Sequence, residues 1–91
     1  MTVRVRIPTQ LRSLSGGASE VAVEGSQVSE VLKALEAAHP GFHDRLFDDA
    51  GKLRRFVNVF VAEEDIRFLQ GLETPVEPGA VVSIVPAVAG G

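Results

Sequence analysis

The sequence predicts an α+β domain in which one main helix crosses one face of a single mixed β-sheet. Three observations lead there. Several short stretches carry the alternating or continuous apolar pattern of strands; one stretch, around residues 28–35, has the period of an amphipathic helix; and no second long helix is available to cover a sheet's other face.

Val3, Val5 and Ile7 alternate with Arg4 and Arg6, as in a strand with one buried face, and Pro8 ends it. Val21 and Val23 alternate with Glu20, Ala22 and Glu24 in a second strand. Gly16-Gly17 supplies a permissive turn, so the two strands are expected to form a hairpin. Val28, Val31, Leu32 and Leu35 fall at i, i+3, i+4 and i+7, with Glu30, Lys33 and Glu36 on the other face. Ser26 is the expected N-cap and His39-Pro40-Gly41 the stop. Phe42, Leu46 and Phe47 fit a short second helix or an ordered loop, and Asp48-Asp49-Ala50-Gly51 a turn.

A third strand is expected from about residue 56 to 62. Val57, Val59 and Val61 suit the core, which turns Phe56, Asn58, Phe60 and Ala62 the other way. Glu63-Glu64-Asp65 reads as a turn, residues 66–69 as a short strand and Glu77-Pro78-Gly79 as another turn. Residues 81–85 form a near-continuous apolar run, the composition of a central strand buried on both sides. Pro86 has no N–H to donate and is expected to end the ladder, separating a domain at 1–85 from a flexible tail at 86–91. Neither the first nor the last strand is composed like an exposed edge, so the two should pair in parallel at the centre. That is the β-grasp (ubiquitin-like) arrangement.

A chain of 91 residues has room for one core. No apolar run approaches the roughly 18 residues of a membrane span; the longest, residues 81–89, is broken by Ser83 and Pro86. The first residues enter a strand pattern without the apolar stretch of a signal peptide, so a cytoplasmic protein with no membrane partner is expected. The absence of cysteine removes disulfides, thiolate metal sites, iron–sulfur clusters and cysteine nucleophiles. A net charge of −3 with scattered basic residues argues against nucleic acid as a partner.

No constellation of side chains assembles an active site. His39 and His43 are four apart, but Pro40-Gly41 interrupts any helix between them and no third ligand is offered, so no metal is expected. The acidic groups Asp48-Asp49 and Glu63-Glu64-Asp65 sit in predicted turns, where carboxylates are solvated. Lys52, Arg54 and Arg55 form a small basic patch suited to steering an acidic partner. Gly16-Gly17 lacks the third glycine and the Lys-Ser/Thr of a phosphate loop. The C-terminus is different. Pro86-Ala87-Val88-Ala89-Gly90-Gly91 has no charge and no side chain larger than valine. Glycine lacks a Cβ, so a Gly-Gly end can thread a narrow channel and present its carboxylate inside another protein.

A β-grasp domain ending in Gly-Gly just after its central strand resembles the ubiquitin-like sulfur carriers of the MoaD/ThiS family. The resemblance covers the whole chain. It is carried by Ser83-Ile84-Val85-Pro86-Ala87-Val88-Ala89-Gly90-Gly91, by Val57-Asn58-Val59-Phe60-Val61, and by the helix from Val28 to Leu35 leading into His39-Pro40-Gly41. Arg55-Phe56-Val57-Asn58 with Glu64-Asp65-Ile66-Arg67-Phe68 and the end from Pro86 to Gly91 is similar in particular to the actinobacterial carriers of cysteine synthesis. Two positions depart from the pattern: Gln27 stands where relatives usually place a Thr helix cap, and Ala62-Glu63 replaces the usual Asn-Gly turn.

The resemblance implies a protein-bound sulfur donor, a co-substrate and not an enzyme. Gly91 is then the residue that forms a C-terminal thiocarboxylate, and Gly90 is needed to reach the adenylating site. The chain would bind no cofactor itself; an E1-like adenylyltransferase/sulfurtransferase would use MgATP to activate it. The implied acceptor is a PLP-dependent cysteine synthase, with a zinc-dependent peptidase releasing the product. A molybdopterin synthase or a thiosugar synthase is the alternative acceptor, and a ubiquitin-like protein modifier the alternative of another class. Phe60, Phe56 and Val85 fall where ubiquitin-like proteins carry an apolar recognition patch, and Pro86, Ala87, Val88 and Ala89 would follow the tail into the partner.

Overall fold

The alternation of residues 2–6 produces strand β1, Thr2–Arg6, in which Val3 and Val5 are fully buried and their neighbours exposed. The computed structural model describes residues 2–54 and 57–86. β1 pairs antiparallel with β2, Glu20–Glu24, in a register running from Thr2↔Glu24 to Arg6↔Glu20. The connection is longer than the hairpin turn expected. Pro8 caps a 3-10 helix, Thr9–Ser15, and Gly16 closes it at φ +69°, a left-handed conformation that glycine adopts without a Cβ penalty.

Helix α1, Val28–Ala38, buries the expected stripe of Val28, Val31, Leu32 and Leu35. Its N-cap is Gln27 and not Ser26. Ser26 is held in an extended pairing, its carbonyl accepting from Val76 N at 3.0 Å beside the Gln27↔Pro75 bridge, and so lies one residue too early to cap. Its amide and hydroxyl instead donate to Glu30 Oε1 at 2.9 and 2.8 Å, while the first helical amide, Val28 N, donates to the Thr74 carbonyl at 3.0 Å. The Phe42 segment forms a second helix, α2, Phe42–Leu46, burying Phe42 and Leu46. Glu36 on α1 accepts from the amides of Gly41 and His43, the latter at 2.6 Å, and so caps α2 from outside.

Strands β3, Val57–Val61, β4, Glu64–Asp65, and β5, Val81–Pro86, complete a five-stranded sheet of order β2-β1-β5-β3-β4. β1 and β5 are parallel at its centre and the other pairs antiparallel, the mixed sheet expected from the sequence. Three details differ. The turn between β3 and β4 is Ala62-Glu63, at φ 51° and 74°, and the acids Glu64 and Asp65 are themselves the strand. Residues 66–69 are not a strand: Asp65 Oδ1 accepts from Arg67 N at 2.9 Å and starts a 3-10 helix, Ile66–Phe68. β5 is central but not buried on both sides. Val82 and Ile84 are buried, Val81 and Ser83 half-buried, and Val85 44% exposed, because α1 covers one face and nothing described covers the other.

β5 also runs through Pro86, opposite Val57. Backbone groups alternate sides along it: the Ala80 carbonyl accepts from Arg4 N, toward β1, and the Val81 carbonyl from Ala62 N, on the β3 side. By that alternation Pro86 turns its nitrogen away from β3, so its missing N–H costs the ladder nothing.

Candidate functional site

The uncovered sheet face is built by the residues that alternate with the core. β2 contributes Glu20, Ala22 and Glu24, β1 Thr2, Arg4 and Arg6, β5 Val81, Ser83 and Val85, and β3 Asn58 and Phe60. The registers align one row across all five strands, Glu20–Arg6–Ser83–Phe60–Asp65, and a second pair, Asn58–Val85, toward the end of β5. The face is therefore striped: acidic on β2, basic on β1, neutral or apolar on β5 and β3, acidic on β4. Arg4 Nη1 lies 3.9 Å from Glu20 Oε1, a weak pair since both side chains are well exposed. Thr2 Oγ1 donates to Glu24 Oε2 at 2.7 Å, one of the contacts that hold the Glu24 carboxyl below its usual range.

Phe60 is half-buried and Val85 exposed, so both expected recognition residues described here lie on this face. Phe56 and residues 87–91, which include Gly90 and Gly91, lie outside the described residues, as do the side-chain surroundings of Pro86. Sequence reasoning passed over Phe68 as a surface group. It is 86% exposed and followed by Leu69 at 41%. A strand at 66–69 would put Phe68 on the same side as the buried Ile66; the 3-10 helix turns by about a third of a revolution per residue and sends it outward. The legible signal was Asp65 two residues ahead of Arg67, an Asx turn. Arg67 reaches back over β3, its guanidinium donating to Asn58 Oδ1 at 2.9 Å and to the Val57 carbonyl at 3.0 Å.

The histidines occupy the opposite side of the domain. His43 stacks on Phe47 at 4.9 Å between centroids, and no group of three His, Asp or Glu among the described residues is arranged to hold a metal ion. None of the described helices is long and apolar enough to cross a membrane. Among the described residues the face thus offers a surface for adhesion.

A five-stranded mixed sheet with a parallel central pair and one helix across one face is the β-grasp fold, and its uncovered face ending in a strand that leads to a small-residue terminus is the plan of ubiquitin-like carriers. The model of the ThiS family matches residues 5–91, and the chain belongs to that family. It is 47% identical over 93 residues to the sulfur carrier protein CysO of Mycobacterium tuberculosis, with 100% of both chains covered. The crystal structure of the Amycolatopsis orientalis BexX/CysO complex contains a chain that superposes with a TM-score of 0.91 at 46% identity, covering 98% of this chain and 99% of that one. Small archaeal modifier protein 3 of Haloferax volcanii is 37% identical over 68 residues, 75% of this chain and 73% of that protein. These likenesses place the chain among sulfur carriers of the CysO type.

Proposed function

We propose that this protein carries sulfur as a thiocarboxylate on Gly91 and delivers it, in the cytoplasm, for cysteine synthesis. The observation that supports this most is that the family match runs through residue 91 and so takes in Gly90 and Gly91. A free carboxylate is a poor electrophile. An E1-like partner using MgATP joins it to AMP with release of pyrophosphate. A persulfide sulfur then displaces AMP, and a second thiol frees the thiocarboxylate. This chain's part is to dock by its open face, with Phe60, Phe56 and Val85 as anchors, and to pass residues 86–91 into the partner's site. Ordering each backbone residue costs about 1–2 kcal/mol, and a tail of small side chains has few contacts to offset that, so the globular face must supply the anchoring. The sulfur acceptor on this reading is a PLP-dependent cysteine synthase, and a zinc-dependent peptidase frees the cysteine. That a CysO chain was crystallised in a BexX/CysO complex supports docking of such a carrier on a protein partner.

The test is the intact mass of the full chain after incubation with the activating enzyme, MgATP and a sulfur source. The expected gain is the difference between sulfur and oxygen, lost when Gly91 is deleted or a residue is appended. AMP-ester formation by either altered chain would overturn the role of Gly91. Adding O-phosphoserine and the synthase should then add one cysteine residue to the protein. Loss of sulfur without that adduct would leave the carrier and remove the cysteine assignment. The modifier reading has one observation in its favour, the similarity to small archaeal modifier protein 3. Lysine-linked conjugates ending in Gly91 in cell extracts would support it.

A further inference from the structure

We infer that the open edge of β5 receives an extended acidic segment of a protein partner, seated between Arg6 and Arg12. The edge exists because β1 leaves β5 early. The register Arg4↔Val81, Val5↔Val82, Arg6↔Ser83 would next require an N–H from Pro8, and proline has none. Even-numbered carbonyls of this strand point toward β1, as Ala80 does in accepting from Arg4 N at 2.9 Å, so the Ile84 carbonyl points into the space that β1 vacates. The chain there enters the Thr9–Ser15 helix, whose Leu11 amide is spent on the Pro8 carbonyl at 2.9 Å. Among the described residues no other group donates to the Ile84 carbonyl.

The space is a groove of about 390 Å3 whose lining includes Pro8, Arg12, Ile84, Val85 and Arg6, with two guanidinium groups and no carboxylate among the described residues. Arg12 is held in place by its Nε–H bond to the Ile7 carbonyl at 3.1 Å, which leaves its terminal nitrogens for a ligand. The Arg6 side chain makes no hydrogen bond or ion pair among the described residues, its backbone being paired in the ladders to β2 and β5. A lone anion would satisfy the guanidiniums and leave Ile84 unpaired. An extended peptide meets both demands, giving a backbone N–H to Ile84 and alternate Asp or Glu side chains to Arg6 and Arg12. Val85 is part of the lining, so the occupant grips β5 toward its C-terminal end. None of this depends on the chemistry at Gly91.

The experiment is an amide chemical-shift titration of the full chain with short capped peptides of alternating Val and Glu, alternating Val and Lys, and inorganic phosphate alone. The Val/Glu peptide should shift Thr9, Gln10, Arg12, Ile84 and Val85, and the other two should not. Arg6→Ala should weaken that binding about tenfold or more, and Arg6→Gln, of similar length, equally. Both variants keep the dispersed spectrum of the folded chain, because the Arg6 side chain has no bond to lose and its backbone pairing is unchanged. Absence of shifts, equal shifts with the Val/Lys peptide or phosphate, shifts centred on Phe60 and Phe68, or unchanged affinity in both variants would overturn the proposal.

Discussion

Arg67 donates to the Asn58 side-chain oxygen at 2.9 Å and to the Val57 carbonyl at 3.0 Å, tying the segment after β4 to the start of β3. The fork geometry of a guanidinium allows both contacts at once. It also sets the base from which Phe68 projects. Arg67→Ala should cost about 1–2 kcal/mol in urea unfolding, and Arg67→Lys should recover less than half of that, since an ammonium cannot span both acceptors. Equal stability of the Lys variant and the parent would show that charge alone matters.

Ala62 and Glu63 both stand in the left-handed region, where a Cβ crowds the following carbonyl at roughly 1–2 kcal/mol per residue. The two-residue turn needs that conformation because it joins Val61 directly to Glu64. Replacing the pair by Asn-Gly should raise stability by about 1–2 kcal/mol with the β3–β4 pairing unchanged. A fall in stability would mean that the turn is not of this type.

The Glu36 carboxyl is held below its usual value of 4.5, first by the His43 amide and then by the Gly41 amide. A depressed carboxyl pKa means that the unfolded chain binds the proton more readily than the folded one. The stabilisation is therefore complete above pH 4.5 and declines as pH falls below it. The stability gap between the parent and Glu36→Gln should be widest near neutrality and narrow on acidification. Urea midpoints across that range decide it, and a gap independent of pH would remove the charge from the account of how α2 is capped.

Phe60 is half-buried on the uncovered face, whereas Phe42, the first residue of α2, is fully buried in the core. Phe42→Ala should cost about 3–5 kcal/mol of stability and Phe60→Ala clearly less. Binding of the activating partner should reverse that order, Phe60→Ala losing about 1–2 kcal/mol or more. Thermal melts beside a binding titration separate the two; a Phe60 variant as unstable as the Phe42 variant would count against recognition.

What was legible in the sequence follows from periodicity. Val3 and Val5 against Arg4 and Arg6, and the stripe from Val28 to Leu35, each have one geometry that buries them, and the helix could cover only one face. The same alternation put Phe60 outside the core. The shift of β4 was legible only through the family resemblance, which sets Ala62-Glu63 against an Asn-Gly turn; by themselves Ala62 and Glu63 carry no preference for positive φ and the acids after them resemble a turn. Ser26 lost the cap through a contact with Val76, fifty residues on, that no local pattern encodes. The Thr9–Ser15 helix follows from Pro8 and Gly16 acting together, whereas each alone marks only a strand end and a turn. The composition of β5 concealed its open face: Val81 and Val85 look like core residues and are half-buried and exposed because no second layer covers them among the described residues.

The parallel pairing of β1 with β5 joins residues 4–6 to residues 81–83 across nearly the whole described chain. During translation the middle of the sheet is therefore missing until residues 81–86 have left the ribosome, and until then β1 and β3 each lack a neighbour. A nascent or prematurely terminated chain would expose two unsatisfied edges and be open to chaperones and proteases. The fold thereby acts as its own proofreading: only a chain translated through β5 yields a settled domain, so an intact surface tells any partner that synthesis has passed residues 81–86.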